Sequence, residues 1–158
     1  MRTWVDASTL IALDALGEID LLRDLVGRVA ITKEVSREDF RGRESVALQD
    51  GRGRWIEIVE VRGDRGRWER LGLGTGEASL FLAPKGDRLV LDEISARIVA
   101  EAEGRDYVGL LGLLVGGVEA GAITASRARE VLEKLARSTF RMSSDLYGEV
   151  LRQLGDED

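Results

Sequence analysis

Three carboxylate residues, Asp6, Glu77 and Asp92, stand where an apolar run ends or a helix begins, and a fourth, Glu38, lies two turns into a predicted helix. The chain contains neither His nor Cys, which excludes a Ser-His-Asp triad, a His general base, a Cys nucleophile and a zinc ribbon. Any chemistry must therefore use carboxylates, Lys, Tyr, hydroxyl groups or a hard metal ion bound by oxygen. Carboxylate oxygens and water are the ligands that suit Mg²⁺ or Mn²⁺.

Short apolar runs that favour β-strands precede two of these acids. Residues 3–5 end at Asp6, and residues 89–91 end at Asp92. A Gly-Thr-Gly-Glu turn opens the apolar helix that carries Glu77. Because the carboxyl ends of parallel strands meet at one edge of a sheet, the pattern predicts that these acids lie together at that edge.

Glu38 and two further acids, Glu34 and Glu93, are predicted to lie near the same edge of the sheet. Glu34 and Glu38 lie on a helix that is predicted from Lys33 towards Phe40, after a strand at residues 29–31. Glu93 directly follows the acid of the fourth strand. Each acid alone has a plain structural interpretation, as a helix cap, a first-turn acid or a solvated side chain. Together they would raise each other's pKa, and a bound cation would remove that penalty.

The elements that must position these acids alternate between strand and helix along the chain. This alternation predicts a three-layer α/β/α domain over residues 1–154, with a parallel sheet of about five short strands. Residues 155–158 form an acidic tail that is expected to fray. With 158 residues, 44% of them hydrophobic and 33% charged, the chain is long and apolar enough for one core.

Composition also bounds where the protein acts and on what. The longest apolar run is far shorter than the roughly 20 residues of a membrane span, and the N-terminus lacks a signal-peptide pattern. We therefore expect a cytoplasmic protein with no membrane partner. The net charge of −6 argues against a generic nucleic-acid coat, but it is compatible with a nuclease whose acidic site has a basic rim.

In their order and spacing, these segments resemble the PIN-domain family, and within it the VapC-type toxin branch of prokaryotes. The resemblance covers about residues 1–154. The matching segments are Val5 to Ile11 (opening strand and first acid), Val29 to Glu38 (second acid), Gly76-Glu77-Ala78, Leu89 to Arg97 (strand and paired acids) and Tyr107 to Ile123.

The resemblance implies a PIN-like fold and an Mg²⁺- or Mn²⁺-dependent endoribonuclease, the toxin component of a toxin–antitoxin pair. It implies that Asp6, Glu77 and Asp92 bind the metal and that Glu38 binds it or orients the attacking water. RNA, a cognate antitoxin protein and a second copy of the chain, in a homodimer, are the partners that it implies.

Two departures from the family pattern keep a second hypothesis open. Glu93 replaces an Asp and is one methylene longer, which leaves its role as a fifth ligand open. Leu110 replaces a Thr and so removes a hydroxyl near the expected site. The second hypothesis is a PIN-like domain that binds nucleic acid or protein with weak or no catalysis. A receiver-type phospho-acceptor domain is disfavoured, because no Asp ends the third strand and no Lys lies near the fifth.

Other polar residues near these segments have two interpretations each. Ser8 and Ser95 would orient a water or the metal, or cap helices. Arg97 would approach a phosphate or form a structural ion pair, and we favour the ion pair. Residues 52–70 combine Arg with Trp, which suits single-stranded RNA, but the interleaved acids favour a surface with salt bridges.

Overall fold

The computed structural model describes residues 1–38 and 44–155. Within them, five strands form one parallel sheet in the order β3-β2-β1-β4-β5, which confirms the predicted parallel sheet. All four residues of β2 are buried, so both faces of the sheet are covered there. The strands are β1 (Thr3–Val5), β2 (Val29–Thr32), β3 (Ile56–Val59), β4 (Arg88–Val90) and β5 (Tyr107–Val108).

Ten helices in the described residues pack around this sheet and complete the three-layer α/β architecture. They alternate with the strands, as the sequence pattern predicts. The helices are α1 (Ala7–Ala15), α2 (Ile19–Val26), α3 (Lys33–Ser36), α4 (Val46–Gly51), α5 (Gly66–Glu69), α6 (Thr75–Leu80), α7 (Ile94–Ala102), α8 (Leu110–Glu119), α9 (Ala125–Ala136) and α10 (Ser144–Leu154).

The strand order places a crevice at the centre of the sheet. The chain leaves β1 for its neighbour β2 on one side and returns later as β4 on the other side. Ligands bind at the carboxyl ends of strands where the order reverses in this way. Asp6 directly follows β1, and Asp92 follows shortly after β4, so both lie beside this crevice.

The helix after β2 is shorter than the sequence predicts. α3 has only four residues. The Arg37 N–H bonds to the carbonyl of Glu34, and the Glu38 N–H bonds to that of Val35. This change to i→i−3 bonding tightens the backbone and ends the α-helix. Glu38 therefore lies after the helix rather than two turns into it, and the predicted continuation at residues 39–40 lies outside the described residues.

The buried carboxylate of Glu18, in the turn between α1 and α2, forms hydrogen bonds with two residues of α9. Glu18 is 5% exposed. Both of its oxygens accept hydrogen bonds from Arg127, and Lys134 Nζ donates to Oε2 at 2.8 Å. The hydrogen bonds from Arg127 hold the pKa of Glu18 below its usual value. The C-terminal helices are thus fixed to the N-terminal half by charge as well as by apolar packing.

Gly155 ends the last helix with a φ of 79°, a conformation that glycine adopts without strain. The rest of the predicted tail, residues 156–158, lies outside the described residues. In residues 1–38 and 44–155, no helix is long and apolar enough to cross a membrane.

Candidate metal centre

Asp6 connects the first strand, the first helix and the segment after the fourth strand. Its Oδ1 accepts a hydrogen bond from the Thr9 N–H at 2.9 Å and so caps α1. Its Oδ2 accepts one from the Asp92 N–H, also at 2.9 Å. The capping interpretation is therefore correct for Asp6. The same carboxylate, only 1% exposed, also fixes the backbone of Asp92 at the edge of the sheet.

Donors from two other elements hold the Asp92 carboxylate. Oδ1 accepts a hydrogen bond from the Leu110 N–H at 3.0 Å, in the first turn of α8, and Oδ2 accepts one from the Thr9 hydroxyl. The Leu110 side chain is fully buried in the core, so this residue contacts Asp92 through its backbone N–H alone. Thr9 supplies a hydroxyl at this edge of the sheet. The one sequence feature that points to this hydroxyl is its position three residues after a capping Asp.

Asp6 and Asp92 both resist ionisation. Burial, and after it the negative charge of Asp92, raises the pKa of Asp6 from its ordinary 3.8 to about 7. Burial is also the main reason that the pKa of Asp92 is raised, with a smaller contribution from the Glu93 charge. A cation bound beside the two carboxylates would favour their charged forms.

Glu77 has a carboxylate oxygen without a partner. It lies in the first turn of α6, and its Oε1 accepts a hydrogen bond from the Gly74 N–H at 3.2 Å. Its Oε2 is buried and accepts no hydrogen bond from any residue that the structure describes. Burial raises the pKa of Glu77, and the Glu93 and Glu38 charges raise it further. A buried acceptor without a donor is costly, and a bound cation would satisfy it.

Glu38 still reaches this edge of the sheet, because Gly76 has no side chain. A Cβ built on Gly76 would lie 2.5 Å from Oε1 of Glu38 and 3.4 Å from its Cδ. The Glu38 carboxylate therefore lies in the space that a side chain at residue 76 would fill. Glycine at this position thus brings Glu38 beside the helix that carries Glu77.

Glu93 lies at the exposed end of the same group of acids. Its Oε1 accepts a hydrogen bond from the Ser8 hydroxyl at 2.8 Å, so Ser8 orients a carboxylate instead of capping a helix. Ser95 is exposed, and its hydroxyl forms no hydrogen bond within the described part of the chain. The charge of Glu93 raises the pKa of both Glu77 and Asp92, which places it in the same electrostatic group.

We call these five residues the acid row: Asp6, Glu38, Glu77, Asp92 and Glu93. Charge couples each member to a neighbour along the carboxyl-end edge of the sheet. Among residues 1–38 and 44–155, no three acids have side chains close enough to enclose one cation. The donor set still fits Mg²⁺ or Mn²⁺ in its chemistry, because every donor is a carboxylate and one buried oxygen lacks a partner.

Residues 3–156 match a family model described as a PIN domain. The chain belongs to the PIN-domain family. PIN domains are generally nucleases and typically use divalent metal ions, so the match supports a hydrolytic activity on nucleic acid for this chain. Comparisons with curated proteins and with solved structures found no match.

Two charged residues at the edge of this PIN domain differ from the sequence interpretation. Glu34 is not a solvated acid, because its Oε2 accepts a hydrogen bond from Arg65 Nη1 at 2.8 Å. Arg97 forms no salt bridge within the described residues, so the favoured ion pair is absent there. Its guanidinium lies 5.9 Å from the centroid of the Tyr107 ring, and its charge lowers the pKa of Asp92.

Salt bridges and ring packing hold the Arg and Trp side chains of residues 65–68 in place. Trp68 is buried against Phe81, with ring centroids 5.7 Å apart, and its indole N–H donates to Glu103. Arg67 also pairs with Glu103, and Arg65 with Glu34 and Glu69. The interpretation as a salt-bridged surface is confirmed for these residues, and Trp68 does not offer a face to RNA bases.

Proposed function

We propose that this PIN domain is an Mg²⁺- or Mn²⁺-dependent endoribonuclease and the toxin component of a toxin–antitoxin pair. The observation that supports this most is the acid row at the carboxyl ends of β1 and β4, with the unpartnered Oε2 of Glu77 within it. Buried carboxylates whose pKa values are raised by burial and by each other favour a bound cation.

In this proposal Asp6, Glu77 and Asp92 hold the cation, and Glu38 is a further ligand or orients the attacking water. A bound divalent cation supplies Lewis acidity and lowers the pKa of its water, so that the water can attack a phosphodiester. The chain's own contribution is to fix the ligands. Two backbone N–H groups hold Asp6, and a hydroxyl and a third N–H hold Asp92.

In this proposal Glu93 lies on the exposed side of the acid row and is an additional, non-essential ligand. Ser8 holds it in place with a hydrogen bond of 2.8 Å. The Asp of the family pattern would be shorter by one methylene, and the hydroxyl of Ser8 compensates by fixing the longer side chain. Glu93 therefore contributes to the negative potential at the site, even in an arrangement where it does not contact the cation.

The proposed partners are RNA, a cognate antitoxin and a second copy of the chain, and the proposed location is the cytoplasm. An antitoxin helix would bind across the first helices, where Ile11 of α1 is 41% exposed despite being apolar. An apolar helix face next to an acidic catalytic edge would allow one partner to cover the site while it binds beside it.

The sharpest test is the Asp92→Asn variant. Asn can keep both hydrogen bonds of Asp92, because the Thr9 hydroxyl accepts as readily as it donates. Asp6→Asn is less clean, since it would turn an amide NH₂ towards one of two backbone donors. We expect Asp92→Asn to reduce Mn²⁺-dependent cleavage of a labelled RNA by about a hundredfold or more.

Asp106→Asn is the matched control for this test. Asp106 is an exposed partner of Arg88 at the amino-end edge of the same strand pair, away from the acid row. It should cleave RNA like the wild type. An Asp92→Asn protein that stays folded and cleaves RNA at the wild-type rate would contradict the proposal.

The alternative is a PIN domain that binds nucleic acid or protein without cutting. It is favoured by the absence of three convergent acids in the described residues and by the burial of the Leu110 side chain, which offers no hydroxyl to the site. Titration calorimetry with Mn²⁺ decides between the two. Tight Mn²⁺ binding that disappears in Asp92→Asn, together with RNA cleavage by the wild type, would rule the alternative out.

A further inference from the structure

A polar pocket lies beside the acid row, at the end of α3. It has a volume of about 310 Å³ and is lined by Glu34, Arg37, Glu38, Arg65 and Thr75. Glu38 belongs to both the pocket and the acid row, and Thr75 precedes Gly76 and Glu77 in the first turn of α6. The pocket therefore continues directly from the place where the reaction is proposed.

Arg65 is held in this pocket by acids that leave part of its guanidinium group free. Nη1 donates to Glu34 at 2.8 Å, and Nε lies 3.8 Å from an oxygen of Glu69. Nη2 forms no hydrogen bond with any residue that the structure describes. Glu34 is only 13% exposed in its side chain, whereas Arg65 is 35% exposed. An arginine held on one edge by acids can present its other edge to a ligand at little cost in side-chain entropy.

Arg37 adds a second cation to the same wall. It follows α3, is exposed, and forms no ion pair within the described part of the chain. Two guanidinium groups that line one polar pocket suit an oxyanion with several acceptor oxygens, because each guanidinium can donate two parallel hydrogen bonds. Glu34 is neutralised by Arg65, and a cation bound at the acid row would neutralise Glu38. The pocket then carries a net positive charge.

We propose that this pocket, the Arg65 pocket, binds a backbone phosphate of the RNA strand next to the phosphodiester that is cut, with Arg65 and Arg37 as donors. The proposal rests on the proposed nuclease function, since it assigns a neighbouring phosphate of the same substrate. Glu34 acts as the residue that orients Arg65. This gives the acid at position 34 a role on the substrate side of the site rather than at the metal.

The test measures RNA binding with Ca²⁺ in place of Mn²⁺, under conditions where a gel shows that the RNA stays intact, by the fluorescence anisotropy of a short unstructured RNA over a series of salt concentrations. We expect Arg65→Ala to weaken binding roughly tenfold and to reduce the slope of log K against log[salt] by about 0.7, the effect of one lost contact to a single strand. Arg65→Lys keeps the charge but not the planar group. It should keep the salt slope and lose part of the affinity.

Arg137→Ala is the matched control, because Arg137, directly after α9, has a side chain that is 78% exposed and pairs only with Glu133 in the described residues. It should bind RNA within twofold of the wild type. The proposal is overturned if Arg65→Ala binds like Arg137→Ala at every salt concentration, or if the wild type binds no RNA.

Cleavage kinetics separate this proposal from the proposed function. An Arg65→Ala enzyme that cuts with a raised KM and a nearly unchanged kcat supports the phosphate contact, whereas a loss confined to kcat overturns it and leaves the nuclease function intact. Conversely, full cleavage by Asp92→Asn would overturn the nuclease function, while the RNA-binding result for Arg65 would remain.

Discussion

Replacing Gly76 by Ala separates the proposed metal-binding role of Glu38 from the stability of the fold. A Cβ at this position would lie 2.5 Å from Oε1 of Glu38, whereas an ordinary contact needs about 3.4 Å. The carboxylate must therefore move by about 1 Å, several times the roughly 0.2 Å over which metal–ligand distances vary. If Glu38 is a ligand, we expect the affinity for Mn²⁺ to fall by about tenfold or more.

The same substitution should leave the fold as stable as before or slightly more stable. Gly76 lies within α6 with no left-handed backbone, and the atom that would be displaced is the end of a flexible side chain. Replacing Gly by Ala at such a site stabilises a protein by about 0.4–1 kcal/mol, because the unfolded chain loses conformational freedom. Stability and metal affinity are thus expected to change in opposite directions.

Gly116→Ala is the control, since Gly116 is an exposed residue of α8 and a Cβ there would meet no atom within 4 Å. It should give the same stabilisation in thermal unfolding with EDTA and no change in calorimetric titration with Mn²⁺. Equal Mn²⁺ affinity in the two variants would refute the assignment of Glu38 as a ligand. A large loss of stability in Gly76→Ala alone would refute the view that Glu38 can move away.

Three further predictions concern stability and the acids. In EDTA, the pKa of Asp6 is about 7 in the fold against an ordinary 3.8, so the free energy of unfolding should fall as the pH rises from roughly 4 through 7. The whole shift of the Asp6 pKa corresponds to about 4 kcal/mol in the free energy of unfolding, and burial contributes more to it than the charge of Asp92 does. Asp92→Asn removes both the Asp92 charge and the raised pKa of Asp92 itself, so it should weaken this pH dependence, as measured by urea denaturation at about pH 5 and pH 8 with Asp106→Asn as control. An unchanged pH dependence would contradict the coupling of the two acids. Glu18→Gln should cost about 1–3 kcal/mol at neutral pH, because it weakens the bonds to Arg127 and Lys134. That difference should shrink as the pH falls through the lowered pKa of Glu18, and a difference that is independent of pH would show that the charge is unimportant. Leu110→Thr should lower the free energy of unfolding by about 2–4 kcal/mol, because it removes buried methyl groups and buries a hydroxyl. Its Mn²⁺ affinity should not rise, since the backbone N–H already serves Asp92; a rise in affinity would show that the missing hydroxyl limits the site.

The positions of Asp6, Glu77 and Asp92 could be predicted because each is fixed by local sequence. An acid that directly follows a strand lies at the carboxyl-end edge of the sheet, whatever residues surround it. A glycine turn before a helix places the first turn of that helix at the same edge. The parallel order of the strands then brings these edges together. Pattern and topology therefore suffice for the outline of the acid row.

The contacts that refine the site could not be predicted, because they join residues distant in sequence. The Thr9 hydroxyl meets Asp92 across 83 positions, and Arg65 meets Glu34 across 31. The predicted helix through Glu38 is wrong for a related reason. The contacts of α3 with α6 and of Glu34 with Arg65, both distant in sequence, act on the chain after β2 beside the helical tendency of its own residues. Local propensity is a weak determinant where tertiary contacts compete with it.

The central position of β1 has a consequence for the synthesis of the protein. The ribosome releases β1, β2 and β3 before β4, so the middle strand of the finished sheet is at first an open edge. The N–H of Asp92, which donates to Oδ2 of Asp6, lies 86 positions later in the chain and is synthesised later. The N–H of Leu110, which donates to Asp92, is synthesised later still. The acids that are proposed to bind the metal come together only when that edge is closed. Under the proposed function, a nascent chain would therefore be unable to cut RNA, including the message that encodes it, until most of its length has left the ribosome.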